Sequence, residues 1–220
     1  MRLTRSDSRT LREARKCYAL GPEGYRSGFL HLKQAAAAGS ARAHEWLGAV
    51  YYHGLGTRPN RRLSFQHYMI AAQAGIAGAK YHVAIDYYQG AGVRPSYKSA
   101  IFWLRRAIKH SDETAMYWLG ECYFHGRGVP KNPRKGFALA LEAAKRGEMN
   151  AQFVVGLCYD NGEGVRADAA KAFKWYLKAA KRGCSDAANN LGILYETGRG
   201  VRVSQPKADF WFSRAEPMIS

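Results

Sequence analysis

The sequence predicts an all-α fold: a right-handed α–α superhelix, or solenoid, of five 36-residue helix–turn–helix repeats behind an N-terminal half repeat. Three observations predict it. A small residue recurs every 36 positions, at Gly48, Ala84, Gly120, Gly156 and Gly192. Three residues after each stands a tyrosine (Tyr51, Tyr87, Tyr123, Tyr159, Tyr195). A glycine pair follows it in turn, at Gly54/Gly56, Gly90/Gly92, Gly126/Gly128, Gly162/Gly164 and Gly198/Gly200. No segment alternates like a strand, and a period of this length without strands is the mark of a helical repeat array.

In chain order, residues 1–24 are read as a basic arm and cap helix. Arg2, Arg5, Arg9, Arg12, Arg15 and Lys16 face only Asp7 and Glu13, and a short helix from about Thr10 to Leu20 ends at Gly21-Pro22. The array then covers 25–216, as a half repeat at 25–39 and repeats at about 43–76, 79–112, 115–148, 151–184 and 187–216. The first helix of each repeat, helix A, is illustrated by Ala115, Trp118, Leu119, Cys122 and Tyr123, whose spacing places them on one face. Gly126 closes that helix and Gly128 turns the chain back. Helix B then opens at a slot held by Asn60, Ser96, Asn132, Asp168 and Ser204, all able to cap a helix. Pro133 stands at a first helical position, where a missing N–H costs nothing.

Helix B places Phe29, Phe65, Ile101, Phe137 and Phe173 in one core slot, and Ala35, Ala71, Ala107, Ala143, Ala179 and Ala215 in another. Gly39, Gly75, Gly147 and Gly183 close it, with Ser111 in the equivalent place, and Ala43, Ala79, Ala115, Ala151 and Ala187 open the next helix A. Glu216-Pro217 stops the last helix.

Composition bounds the function. The hydrophobic fraction, 47%, is enough for a core, and no apolar run is long enough to span a bilayer. No apolar stretch at the N-terminus reads as a secretory signal. A cytoplasmic protein is therefore expected, with the Arg- and Ser-rich start fitting a mitochondrial presequence as the lesser alternative. The net charge of +17 calls for a partner with negative surface. The four cysteines form no Cys-x-x-Cys pair, and Cys122 and Cys158 share a mostly apolar slot with Val50, Asp86 and Leu194, so reduced buried thiols are expected.

The pattern Ala-x3-Leu-Gly-x2-Tyr-x2-Gly-x-Gly-Val, followed by a helix with an aromatic and paired alanines, resembles the Sel1-like repeats, relatives of the tetratricopeptide repeats. The resemblance covers about 25–216. Departures are Ala84 and Asp86 in the second copy, where less regular packing is expected, and Thr57 for valine in the first. The resemblance implies an adaptor or scaffold, with an immunity-type inhibitor of a bacterial toxin as one concrete version.

Catalysis has no address in the sequence. Gly-x-Gly-Val closes helices here, whereas a phosphate loop opens one. Asp160-Asn161-Gly162-Glu163 has glycine where a calcium loop needs carboxylates. The histidines His31/His67 and His53/His125 are echoes of the period, and there is no nucleophile elbow. The expectation is a non-enzymatic protein with no cofactor, no metal and no small-molecule substrate.

By the resemblance, helix A lines a concave face. Carried over slot by slot, that face presents Tyr52, His53, Tyr81, Tyr88, Gln89, Tyr117, Glu121, Phe124, His125, Phe153, Asn161 and Asn189. Aromatic rings on a rigid wall suit a protein or peptide partner, although several could instead pack between repeats. Arg58, Arg61, Arg62, Arg94, Lys131 and Arg134 follow the A-to-B turns and form an electrostatic rim. Such a rim is a solvated face, or steers an acidic protein, or holds a phosphate backbone, so RNA or single-stranded nucleic acid is the alternative partner.

Overall fold

The 36-residue period becomes a succession of helix pairs in the computed structural model, which describes residues 5–110 and 112–215. The described elements are all helical: α1 (Arg5–Ala19), α2 (Pro22–Ala37), α3 (Ala41–His53), α4 (Arg61–Gln73), α5 (Ala77–Gln89), α6 (Tyr97–Ile108), α7 (Glu113–His125), α8 (Pro133–Lys145), α9 (Met149–Asn161), α10 (Ala169–Ala180), α11 (Ser185–Thr197) and α12 (Gln205–Ala215). Odd-numbered helices from α3 onward are helix A, and even-numbered ones are helix B. The expectations at Arg2, Ser111, Glu216 and Pro217 lie outside the described residues. The helices fall into two compact units, Met1–Asp112 with α1–α6 and Glu113–Ser220 with α7–α12.

The caps explain why every pair repeats so faithfully. Gly54, Gly90, Gly162 and Gly198 end helix A in the left-handed conformation, with φ between 72° and 77°. Asn60, Ser96, Asn132 and Asp168 each accept a side-chain bond from the backbone N–H three residues on, at 2.9 to 3.2 Å. Such a cap contributes about 1 kcal/mol. The N–H of the cap position, Ser204 included, also donates to the carbonyl of the repeat tyrosine at 2.8 to 2.9 Å, which satisfies one acceptor left open at the end of helix A.

The second glycine of each pair does more than turn the chain. A Cβ on Gly56, Gly92 or Gly164 would stand 2.1 to 2.3 Å from the backbone oxygen of Tyr25, Arg61 or Pro133. Each turn is thus laid backbone to backbone on the first turn of the preceding helix B, and only a residue without a side chain permits it.

Within a pair, the glycine of helix A makes room for a ring. Cβ atoms on Gly48, Gly156 and Gly192 would meet Tyr68, Tyr176 and Phe212 at 2.4 to 2.6 Å. The second full repeat carries Leu104 in that slot, fully buried, and this smaller partner leaves space for the methyl of Ala84. Glycine-to-alanine and aromatic-to-leucine therefore change together, and α5 and α6 form a complete pair where less regular packing was expected.

Between successive pairs the helix-B aromatic meets the repeat tyrosine edge-on: Phe29–Tyr51, Phe65–Tyr87, Phe137–Tyr159 and Phe173–Tyr195, with ring centroids 5.2 to 5.5 Å apart. Each such contact contributes about 0.5 to 1.5 kcal/mol beyond area. These phenylalanines are half-buried and tie neighbouring repeats together, a role distinct from the core position assigned from sequence. The alanine slots are as expected, Ala43, Ala79, Ala115, Ala151 and Ala187 being fully buried.

The N-terminal segment is more than a cap on a half repeat. Leu11 and Ala14 of α1 share a core with Leu32 and Ala35 of α2 and with Leu47 and Val50 of α3. The Tyr18 ring lies over Gly28, where a Cβ would come within 2.7 Å. The helix α1 is the partner that the half repeat lacks in the sequence pattern, and it begins five residues before the expected Thr10.

Candidate functional site

The residues expected on the helix-A face separate into three groups. His53, Gln89, His125, Asn161 and Asn189 are exposed, while Tyr52, Tyr81, Tyr88, Tyr117, Glu121 and Phe153 are half-buried. In the first unit the rings are braced by neighbouring side chains. The Arg61 guanidinium lies 3.3 Å from the Tyr52 ring centroid, His53 meets that ring edge-on at 4.9 Å, and Tyr97 meets Tyr88 edge-on at 5.3 Å. Tyr81 stands beside His82 at 5.4 Å. In the second unit Tyr117 packs near Trp118, Phe153 lies 5.9 Å from the buried Tyr176, and Glu121 pairs with His125 at 3.5 Å. Burial raises the Glu121 pKa, and the His125 charge opposes the shift.

Phe124 forms the third group and corrects the sequence reading. It is 5% exposed and cannot present its ring to a partner. The cause lies across the pair. Helix α8 carries Ala140 where other repeats carry Tyr68, Tyr176 or Phe212, so no ring enters from helix B. The Phe124 ring enters from helix A instead and lies over Gly136, where a Cβ would come within 2.9 Å of it. The signal was present in the sequence as the pair Gly136 and Ala140, both small in one copy.

The rim cations Arg58, Arg61, Arg62, Arg94, Lys131 and Arg134 are all exposed. Lys131 and Arg134 also line a surface depression of about 630 Å³ together with Asn132, Pro133, Gly162, Gly164, Val165 and Arg166. Spacing arguments did not reveal this feature, because it needs two segments 28 to 35 residues apart to be set side by side.

Sequence reasoning also missed the polar core of the first unit. His44 of α3 and His67 of α4 approach Nδ1 to Nδ1 at 2.8 Å, and His67 stacks on Tyr51 at 5.4 Å. One ring must donate and the other accept, so both nitrogens cannot be protonated in this geometry. Burial, and secondarily the charge of His44, holds the His67 pKa down to about 4; burial also lowers that of His44, against a bond to the Ala36 backbone. The Lys80 Nζ, nearly buried, lies 2.9 Å from His110 Nε2. Asp86 is 4% exposed, one of its oxygens has no partner, and burial pushes its pKa up to about 7 despite nearby Arg61.

In the second unit the corresponding groups are inert. Cys122 and Cys158 are buried and free, and burial pushes their thiols up to about 11 and about 12. Among the described residues no group of three or more His, Cys, Asp or Glu side chains could hold a metal ion, and no helix is long and apolar enough to cross a membrane.

Comparison with known proteins agrees with this architecture. The family model described as Sel1 repeat matches residues 41–76, 77–112, 114–148, 150–184 and 185–216. A Sel1 repeat protein from Oxalobacter formigenes is 27% identical, with a TM-score of 0.86 over 93% of this chain and 83% of that one. A protective antigen of uropathogenic Escherichia coli with an SLR fold is 25% identical, with a TM-score of 0.81; the match covers 96% of this chain but 46% of the antigen. An immunity protein from Pseudomonas aeruginosa, 19% identical with a TM-score of 0.62, covers 98% of this chain and 83% of its own and shares the fold. The curated proteins contain no match.

Proposed function

The chain belongs to the Sel1 repeat family, and from that premise we propose that it is a non-enzymatic protein-interaction module whose helix-A faces hold an acidic protein or peptide while its basic turns steer the encounter. The observation that carries the reading is the pair Tyr52 and Tyr88. They occupy one slot in successive repeats, stand half-exposed, and are each fixed from one side, by Arg61 and Tyr97. A ring already held in place loses little freedom when a partner covers it, which favours such residues as anchors. The exposed rim arginines in the same unit add long-range attraction for a negative surface.

The immunity-type version, in which the partner is an acidic toxin held occluded, draws on solved immunity proteins that share the fold at 18 and 19% identity. It is the version that would place a secreted effector among the captured proteins.

The test is affinity capture of the tagged protein from its own cells, washed at low salt and at about 0.5 M salt, with retained protein and nucleic acid both identified. An acidic protein that survives the high-salt wash, and that the double variant Tyr52→Ala/Tyr88→Ala fails to retain, is the expected result. Nucleic acid that elutes with salt, with no protein left, would transfer the function to the basic turns and overturn the reading.

A further inference from the structure

We infer that the depression between the start of α8 and the turn 162–166 is a seat for a carboxylate-rich segment of the partner, a stretch with two or three neighbouring Asp or Glu side chains. The inference deepens the acidic-protein reading above and rests on it.

The depression has the charge of an anion site on every side. Lys131, Arg134 and Arg166 line it, all three exposed, and no ion pair among the described residues engages any of them. No acidic residue lines it. Glu163, though it lies between the two glycines, is absent from the lining, and its charge is felt instead by Cys158 and Glu121. Three unneutralised cations around one hollow repel one another, and an entering anion relieves that repulsion.

The floor is built for close approach. Gly162 and Gly164 have φ of 74° and carry no side chain, and Gly164 lies flush on the carbonyl of Pro133. Above it begins α8, 13 residues long, with Pro133 at its first position and the Asn132 side chain already committed to the Lys135 N–H. The positive end of that helix adds to the field of the three cations. Two independent features, a cation-walled hollow and a bare backbone floor, thus converge.

The lining separates the candidate anions. A single-stranded nucleic acid needs aromatic faces for its bases in addition to cations for its phosphates. The lining contains no aromatic residue, and its volume of about 630 Å³ suits a few side chains. The next junction shows that the feature is specific. One period later Ala167, Ala169 and Ala170 replace Lys131, Pro133 and Arg134, and Asp168 pairs with Lys171 at 3.0 Å.

The test uses the full chain and two labelled probes of equal charge, an end-blocked glutamate peptide of about ten residues and an oligothymidine of about eleven nucleotides, titrated by fluorescence anisotropy at about 50 mM salt. Lys131→Ala/Arg134→Ala/Arg166→Ala is compared with Lys145→Ala/Lys174→Ala/Lys181→Ala, which removes as much charge elsewhere on the same unit. Circular dichroism confirms that both variants fold. The expected result is a loss of peptide affinity of about tenfold or more in the first variant and under about threefold in the second. Equal losses, no peptide binding by the wild type, or tighter binding of the oligothymidine that the first variant abolishes would each overturn the inference. Its failure is distinct from that of the interaction-module reading. A protein partner captured equally by wild type and the first variant sinks the seat alone, whereas peptide binding without any captured protein sinks the module and leaves the seat.

Discussion

The two units are built on one helix-pair plan yet keep their charges in different places. Residues 1–112 hold 18 Lys and Arg against six Asp and Glu and contain six of the seven histidines; the remainder holds 16 against 11. In the first unit several polar groups are buried or half-buried: the His44–His67 pair, Lys80 where it meets the exposed His110, and Asp86 with an unpartnered oxygen. In the second, the slot of Asp86 holds Cys122, Cys158 and Leu194, all buried, while every described Lys and Arg is exposed. The difference teaches that the period fixes backbone and caps, whereas the chemistry of individual slots is free to vary so long as volume is conserved across the pair. Interior ionisable groups should make the first unit the pH-sensitive one.

The largest expected effect tests the shared part of that plan. Gly56→Ala in the first unit and Gly164→Ala in the second each force a side chain into a left-handed position and drive its Cβ to 2.3 Å from a backbone oxygen. Each should cost about 3 kcal/mol or more, read as a drop in the urea midpoint, because backbone cannot move aside as a side-chain tip can. A loss under about 1 kcal/mol in either would mean that the turn is not seated on the preceding helix.

Next comes the slot in which the repeats diverge. Phe124→Ala should destabilise the protein by about 3 to 4 kcal/mol, since it empties a ring from a filled volume. Tyr88→Ala, in the same slot one repeat earlier, should cost under about 1 kcal/mol and act on partner binding, because that ring is half-exposed. Equal stability losses would erase the distinction between a filling ring and a presented one.

Much of this was legible from spacing alone. The 36-residue period, the glycine caps and the Asn60-type cap slot follow from local chemistry, and local chemistry is written in consecutive residues. Phe124 misled because the face a residue shows depends on what the opposite helix brings. Reading Gly136 and Ala140 together with Phe124 would have placed the ring inside. The helix α1 lacks the repeat signature and is a full partner of α2 all the same, since packing needs apolar residues such as Leu11 and Ala14, not the family glycine. The half-buried His44–His67 contact joins positions 23 residues apart that have no shared slot, so periodicity is silent about it. The depression at Lys131 was half visible, as two of the six rim cations, but its floor of glycines appears only when two turns meet.

The pH contrast is tested by Asp86→Val, which gives the second repeat the residue that the first carries at Val50. Folding raises the Asp86 pKa from 3.8 to about 7, so the native state retains a proton that the unfolded chain releases. Wild-type stability from this group is full below about pH 3.8 and lost as pH rises through 7. The variant should therefore gain about 2 to 4 kcal/mol at pH 8 and almost nothing at pH 4. His67 acts with the opposite sign. Its pKa falls from 6.5 to about 4, so its contribution is present above 6.5 and lost as pH falls toward 4. In the variant the acid limb should stand alone, and a gain equal at both pH values would show that Asp86 titrates normally.

The smallest effect is expected at Gly120, where the rule linking glycine to a facing ring is suspended. A Cβ on Gly48 would stand 2.6 Å from the Tyr68 ring, and alanine there must displace it. At Gly120 the nearest atom is the Gly136 carbonyl oxygen at 3.1 Å, because the facing slot holds Ala140 and the ring has come from Phe124 instead. Alanine in a helix interior gains about 1 kcal/mol over glycine, and a tight contact of a few tenths of an ångström costs a comparable amount. Gly120→Ala should thus leave stability within about 1 kcal/mol of wild type. In the background of Ala140→Tyr, which restores the ring of the other repeats, it should become strongly destabilising. A cost at Gly120 as large as that at Gly48 in the native background would mean that the glycine is held by the helix crossing itself and not by the ring that usually faces it.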